Sequence, residues 1–170
     1  MTKIRKKNCV HERIFDSAEL EKKAVDAAEA GNYDQALEHL SQAESLAPER
    51  GSVLNNRAQV LRLQEKYDDA IAELNKAIKK ETDWIEANRE YVGSSEYSAH
   101  RYVLQQAHSQ RAAIYHVKGD KEAEQKDLDA AATYGSPIAR MATTNTNPYA
   151  TLCHKAVEQM MQDAFSSNSS

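Results

Sequence analysis

Small and apolar residues recur every three to four positions between Leu20 and Ala77, the spacing of a helix with one buried face. The stretch Asn55 to Ala77 reads as a helix, a tight turn and a second helix, with Ala58, Tyr67, Ala70, Leu74 and Ala77 on the facing sides. Tyr33, Ala36, Leu40 and Ala43 stand 34 positions before Tyr67, Ala70, Leu74 and Ala77, and four positions in register make a repeat. The small residues answer a distance requirement, since helix axes approach to about 8–10 Å only where the crossing point carries little side chain. The first helix is expected to start near Asp16 or Ser17, to bury Leu20, Ala24 and Ala27, and to break at Gly31. Asn32 and Gln35 have the spacing of a capping pair for the next helix, which must end before Pro48.

A helix–turn–helix unit with a 34-residue period is the signature of a tetratricopeptide repeat. Repeat one covers about residues 17–50 and repeat two about 51–84. The period then fails, because the next Gly-Asp turn, Gly119-Asp120, lies 54 positions after Glu65, the equivalent turn residue. Strict phase would also set Leu104, His108 and Arg111 at the small, large-apolar and small positions. An insertion is therefore expected at about 85–104, with repeat three at about 105–138. The insertion is itself helical in pattern: Trp84, Ala87 and Tyr91 share a face, Gly93-Ser94-Ser95 interrupts, and a long helix carries Tyr97, Arg101, Leu104, His108, Ala112 and Tyr115. The partner helix of repeat three points Leu128 and Ala131 inward, with Glu124 at the crossing point. After Gly135-Ser136-Pro137, the pair Asn147-Pro148 opens a capping helix at about 148–165 that presents Tyr149, Leu152, Ala156 and Met160, and 166–170 is expected to be disordered. Residues 1–15 read as a flexible basic segment and 16–165 as one domain. The expected architecture is an all-α, right-handed superhelical stack of three helix pairs with a helical insertion and a C-terminal capping helix.

With 170 residues the chain can bury one sizeable core. A net charge of -4 argues against a general nucleic-acid surface and against an anionic membrane as partner. No apolar run approaches the roughly 20 residues that span a bilayer, and no apolar h-region follows the basic start. Lys3, Arg5, Lys6 and Lys7 have the composition of a nuclear signal, though a solvated tail explains them as well. Cys9 and Cys153 lack any CxxC spacing and read as free thiols of a reducing compartment, which places the chain in the cytoplasm or nucleus.

Stacked repeats line an inner groove with their first helices. Here the groove is expected to carry Glu21, Lys22 and Glu29, then Asn55, Asn56, Gln59 and Arg62, then Gln106, Ser109, Gln110 and His116. Amides dominate, and an amide both donates and accepts, which suits a peptide backbone. Trp84, Tyr91, Tyr97 and Tyr102 form a second candidate surface, or else pack the inserted helix against its neighbours. Enzyme readings fare badly, and a small metal-dependent enzyme is the remote alternative. His100, His108 and His116 are eight apart on one helix and drift around its axis, so three metal ligands do not converge. Cys9 with His11, or Cys153 with His154, lacks two further ligands. No Gly-rich phosphate loop occurs, and no cofactor is expected.

With these residues in view the chain resembles the tetratricopeptide repeat protein 36 family, on AAEAGNYDQALE (27–38), APERGSVLNNRAQVLRLQ (47–64), GSPIAR (135–140) and NPYATLC (147–153). The resemblance covers about residues 18–163; the N-terminus is shorter, and the segment around 83–100 longer, than the family pattern. It implies a non-enzymatic scaffold with the seventy-kilodalton heat-shock chaperone as the type of partner, and links to tyrosine catabolism and to cilium assembly. Tetratricopeptide co-chaperones grip an acidic chaperone tail with a clamp of Lys, Asn, Asn, Lys and Arg. The corresponding residues here are Glu21, Val25, Asn56, Gln106 and Gln110, and only Asn56 matches. Any chaperone contact is therefore expected away from that tail.

Overall fold

In a computed structural model, residues 2–146 are described, with side-chain surroundings for 12–143. Among the described residues seven α-helices follow one another: α1 (Thr2–Glu29), α2 (Tyr33–Leu46), α3 (Gly51–Leu63), α4 (Tyr67–Ala87), α5 (Ser95–Lys118), α6 (Lys121–Thr133) and α7 (Pro137–Thr146), with a 3₁₀ turn at Arg89–Tyr91. Helices pack as the pairs α1–α2, α3–α4 and α5–α6, each pair leaning on the next through α2–α3 and α4–α5. The first helices also touch in order, α1 on α3 and α3 on α5, so they share one side of the stack.

The small-residue positions carry this packing. Ala24, Ala58 and Ala112, spaced by 34 and then 54 residues, are all buried. So are Ala36 and Ala70, Leu40 and Leu74, and Ala43 and Ala77. Leu40 anchors the core between repeats one and two with Ala24, Val53 and Val60, and Leu74 anchors the next with Ala58, Ala107 and Ile114. Truncating either leucine to alanine removes buried area and leaves a cavity, a combination that costs about 2–5 kcal/mol.

Each first helix ends the same way. The backbone N–H of Asn32, Lys66 and Asp120 reaches back to the carbonyl of Ala27, Leu61 and Tyr115 at 2.8–3.0 Å, and the residue before it lies in the left-handed region. That residue is Gly31 (φ 78°), Glu65 (φ 60°) and Gly119 (φ 75°). Glu65 is the strained member, because a Cβ disfavours this conformation by about 1–2 kcal/mol. Glu65→Gly is expected to raise stability by about 0.5–1 kcal/mol net of the added unfolded-state entropy, read as an upward shift of the thermal midpoint.

Several boundaries differ from the sequence expectation. Helix α1 runs from Thr2 instead of starting at Asp16 or Ser17, so 2–15 are continuous with the first helix. Residues 2–16 hold no Gly or Pro and are rich in Lys and Arg, so nothing stops the helix from propagating. Ser17 is buried inside it, and its hydroxyl donates to the Ala43 carbonyl at 3.1 Å instead of capping. Asn32 holds the N-cap position of α2, but its side chain makes no capping bond. The insertion is not a module of its own. It lengthens two existing helices, α4 having 21 residues against 14 in α2 and α5 having 24 against 13 in α3. Ser94 caps α5 by accepting from the Tyr97 N–H at 3.1 Å, and Gly135 (φ 110°) closes α6. The segment after Pro137, unassigned by periodicity, is helix α7, which packs on α6. The capping helix at 148–165 and the tail at 166–170 lie outside the described residues.

Repeat three adds a buried charge cluster to its apolar contacts. Asp127, not Leu128, is buried beside Ala131 on the inward face of α6. Arg111 grips Asp127 bidentately, Nε to Oδ2 at 2.7 Å and Nη2 to Oδ1 at 2.6 Å, and His108 Nδ1 donates to Oδ1 at 2.8 Å. Burial pushes the Asp127 carboxyl up, but hydrogen bonds and charge from Arg111 and His108 outweigh it and hold the group below the usual carboxylate range. The same device stands 54 residues earlier, where Arg57 reaches Glu73 on its partner helix and Glu44 on the preceding one. Arg111 likewise reaches back to Asn75 on α4. His108 and Arg111, misfits for an apolar position, thus have a polar partner in register.

Candidate functional site

One side of the stack is built from α1, α3 and α5, and its polar residues fall into two classes. Some are spent within the protein. Glu21, buried, accepts from Arg50 Nη2 at 2.8 Å, Ser52 Oγ at 3.2 Å and Asn56 Nδ2 at 2.9 Å, tying α1 to α3. Asn55 is a correction to the groove expectation. It is buried, its Nδ2 donating to Gln106 Oε1 at 3.3 Å and its Oδ1 accepting from Gln110 Nε2 at 3.0 Å, so it stitches α3 to α5 instead of facing a ligand. Gln106 Nε2 continues the chain to the Tyr102 hydroxyl at 2.9 Å. Asn55 and Asn56 lie on α3, and Gln106 and Gln110 on α5. No local signal in the sequence marks that Asn55 pairs with Gln106 and Gln110, 51 and 55 residues away.

The second class is unspent. Lys22 and Gln59 are exposed and without a polar partner among the described residues, and the Arg62 Nε is buried without one, as is the Gln110 Oε1. Between α1, α2 and α3 a cleft of 350 Å³ opens, floored by Ala24, Ala28, Leu40 and Val60 and rimmed by Gln59 and Glu29. Val25 and Leu63 flank it, 38% and 43% exposed. A side chain of leucine or methionine size fits such a space, and open apolar flanks favour its burial by about 1.5–3 kcal/mol.

The clamp positions can now be compared as chemistry. Glu21 is already neutralised by Arg50, Val25 lines the apolar cleft, and Gln106 and Gln110 are engaged with Asn55. Asn56, the one match, donates to Glu21. A peptide carboxylate would find no preformed set of cations here, and each missing charge-assisted bond is worth roughly 1.5–3 kcal/mol.

The aromatic candidates separate. Trp84 stacks on His100, ring centroids 3.6 Å apart at 16°, and Tyr97 is buried against it at 6.3 Å. His100 Nδ1 is also bonded to Glu81, which accepts from the Gly51 N–H at 2.9 Å and so caps α3. Trp84 therefore belongs to a packed junction of α3, α4 and α5. Tyr91 and Tyr102 remain on the surface, 53% and 56% exposed. Each histidine of α5 is paired with one carboxylate, His100 with Glu81, His108 with Asp127 and His116 with Glu124. Among the described residues no group of three or more His, Cys, Asp or Glu could hold a metal ion, and no helix is long and apolar enough to cross a membrane.

The sequence profile of the tetratricopeptide repeat family matches residues 21–83. Tetratricopeptide repeat protein 36 of Homo sapiens is 36% identical over 149 residues, 88% of this chain and 70% of that protein. Its Drosophila melanogaster homolog is 40% identical over 152 residues, 89% of this chain and 71% of that one. The chain belongs to the tetratricopeptide repeat protein 36 family. Solved structures agree on the tetratricopeptide fold. The TPR2AB domain of yeast Sti1 in complex with pHSP90 superposes with a TM-score of 0.59 at 21% identity, over 88% of this chain and 50% of that one. The first TPR of Spaghetti (RPAP3), bound to the HSP90 peptide SRMEEVD, gives 0.54 at 19%, over 88% and 95%. Family and fold are those of protein-interaction modules.

Proposed function

We propose that this chain is a non-enzymatic, co-chaperone-like adaptor that holds an extended peptide of a partner protein in its inner groove through an apolar anchor. The observation that carries the reading is the pairing of an open apolar cleft at Val25 and Leu63 with unspent polar groups on Lys22, Gln59 and Arg62. Polar groups on the same face that are not free, Asn55, Asn56, Gln106 and Gln110, set the geometry of α3 against α1 and α5. Family membership and the peptide-bound neighbours support a protein partner. The finer roles that the family suggests are contact with the seventy-kilodalton heat-shock chaperone, protection of an enzyme of tyrosine catabolism, and a part in cilium assembly. All belong to a cytoplasmic or nuclear protein. Of these, only the first makes a statement about this groove: a chaperone would be engaged away from its acidic tail.

A peptide titration tests both halves. The labelled heptapeptide SRMEEVD is expected to show no carboxylate-dependent binding, its free acid and its amide behaving alike. Tight binding of the acid alone would restore a clamp and refute the reading. Val25→Asp with Leu63→Asp, both at exposed positions, is expected to remove a defined set of proteins from a pull-down while leaving the circular dichroism spectrum unchanged.

A further inference from the structure

The lengthened α4–α5 hairpin carries a second surface, independent of the groove. Where the chain turns back after the 3₁₀ turn, Val92, Tyr97, Arg101, Tyr102 and Tyr134 line a shallow cleft of 380 Å³. Tyr97 forms its buried wall, and Val92 and Tyr102 stand open at 66% and 56% exposure. The cleft-lining residues include one cation and no carboxylate. Arg101 is fixed in place, its Nη2 donating to the Thr133 carbonyl at 3.0 Å and its guanidinium 6.0 Å from the Tyr134 ring centroid. No carboxylate pairs with it among the described residues. The Tyr102 hydroxyl accepts from Gln106, so its own proton is left to donate outward.

The open Tyr102 ring beside Val92, an outward hydroxyl donor and an immobilised cation with no carboxylate partner together describe a particular ligand. A polyproline-type segment has bare carbonyls that need donors, ring faces that pack on tyrosine, and little entropy to lose on binding. A single arginine is too little for a polyanion and suits one acidic side chain. We propose that this cleft docks an extended, proline-containing acidic segment of a partner protein. The inserted residues that lengthen α4 and α5 supply most of its wall, which ties the surface to the feature that sets this chain apart from a plain repeat array.

The probe is a fluorescein-labelled, amidated decapeptide with a Pro-x-x-Pro core flanked by glutamates, titrated against the full chain by anisotropy. Saturable binding is expected, weakened roughly fivefold or more by Tyr102→Ala or Arg101→Gln, and two- to threefold by Tyr102→Phe, which removes only the hydroxyl. A sibling peptide flanked by lysines is expected to bind about tenfold more weakly. Leu63→Asp in the groove is expected to leave this binding unchanged, so failure here and failure of the groove reading are separable. Absence of saturable binding, or equal affinity for wild type and Tyr102→Ala, overturns the proposal. A concentration-dependent dimer in sedimentation that Tyr102→Ala abolishes also overturns it, by assigning the cleft to a second copy of the chain.

Discussion

Asp127→Asn is expected to lower stability by about 2–4 kcal/mol at neutral pH, a fall of the thermal midpoint of roughly 4–16 °C for a chain of this size. The carboxylate is buried with three bonds from Arg111 and His108, and the amide cannot accept all of them. Arg111, partly open to solvent, recovers some hydration, which keeps the loss near the lower half of the range for a broken buried pair. The effect has a pH signature. The folded-state pKa of Asp127 lies below its unfolded value, so its contribution is complete above the unfolded pKa near 3.9 and is lost as pH falls through the folded value. Denaturation curves of wild type and variant should therefore stay apart from pH 7 down to about 4 and converge below it. Curves that stay equally separated at low pH would contradict this assignment.

Gly51→Ala is expected to destabilise by about 2–4 kcal/mol, although helix propensity alone favours alanine by about 0.5–1 kcal/mol. A Cβ at Gly51 overlaps Oε1 of Glu81, the oxygen that accepts from the Gly51 N–H. Displacing it uncaps α3, strips a buried carboxylate of a donor and disturbs the bond to His100 beneath Trp84. A double-mutant cycle separates this from a simple backbone effect, because the cost of Gly51→Ala should shrink in a Glu81→Ala background. Additive losses would show that the clash is not with Glu81.

The repeat was legible because its determinants are local and periodic. Ala58, Ala70, Leu74 and Ala77 could be read against residues 34 positions earlier, and their burial follows from helix crossing alone. The 54-residue offset to Gly119 placed repeat three, and the structure explains its odd composition: Arg111 and Asp127 repeat the Arg57–Glu73 pair at that offset. That signal was present in the sequence, as charge at matching positions, and a search confined to apolar residues passes over it. The start of α1 was not legible, since Ser17 has the chemistry of a cap and only the packed Ala43 carbonyl shows its other use. Nor were the partners of Asn55, Asn56 and Trp84. Each depends on how helices from different repeats face one another, which no local period encodes.

The groove residues divide by the same logic. Exposed polar positions looked equivalent along the chain, yet Asn55 is internal while Gln59, one turn on, is free. Energetically the two classes differ in sign for binding. Recruiting Asn55 to a ligand would first break two inter-helix bonds, each worth about 0.5–1.5 kcal/mol, whereas Gln59 gives up only water.

The most direct test of the inner groove as the binding face is site-specific photo-crosslinking in cell extract, with a photoreactive residue at Gln59 or, as control, at Lys76 on the second helix of the same repeat. Discrete crosslinked partners are expected from Gln59, lost when Val25→Asp and Leu63→Asp are added, and none of those partners from Lys76. The same partners from Lys76, or crosslinks from Gln59 that survive the cleft substitutions, would contradict it.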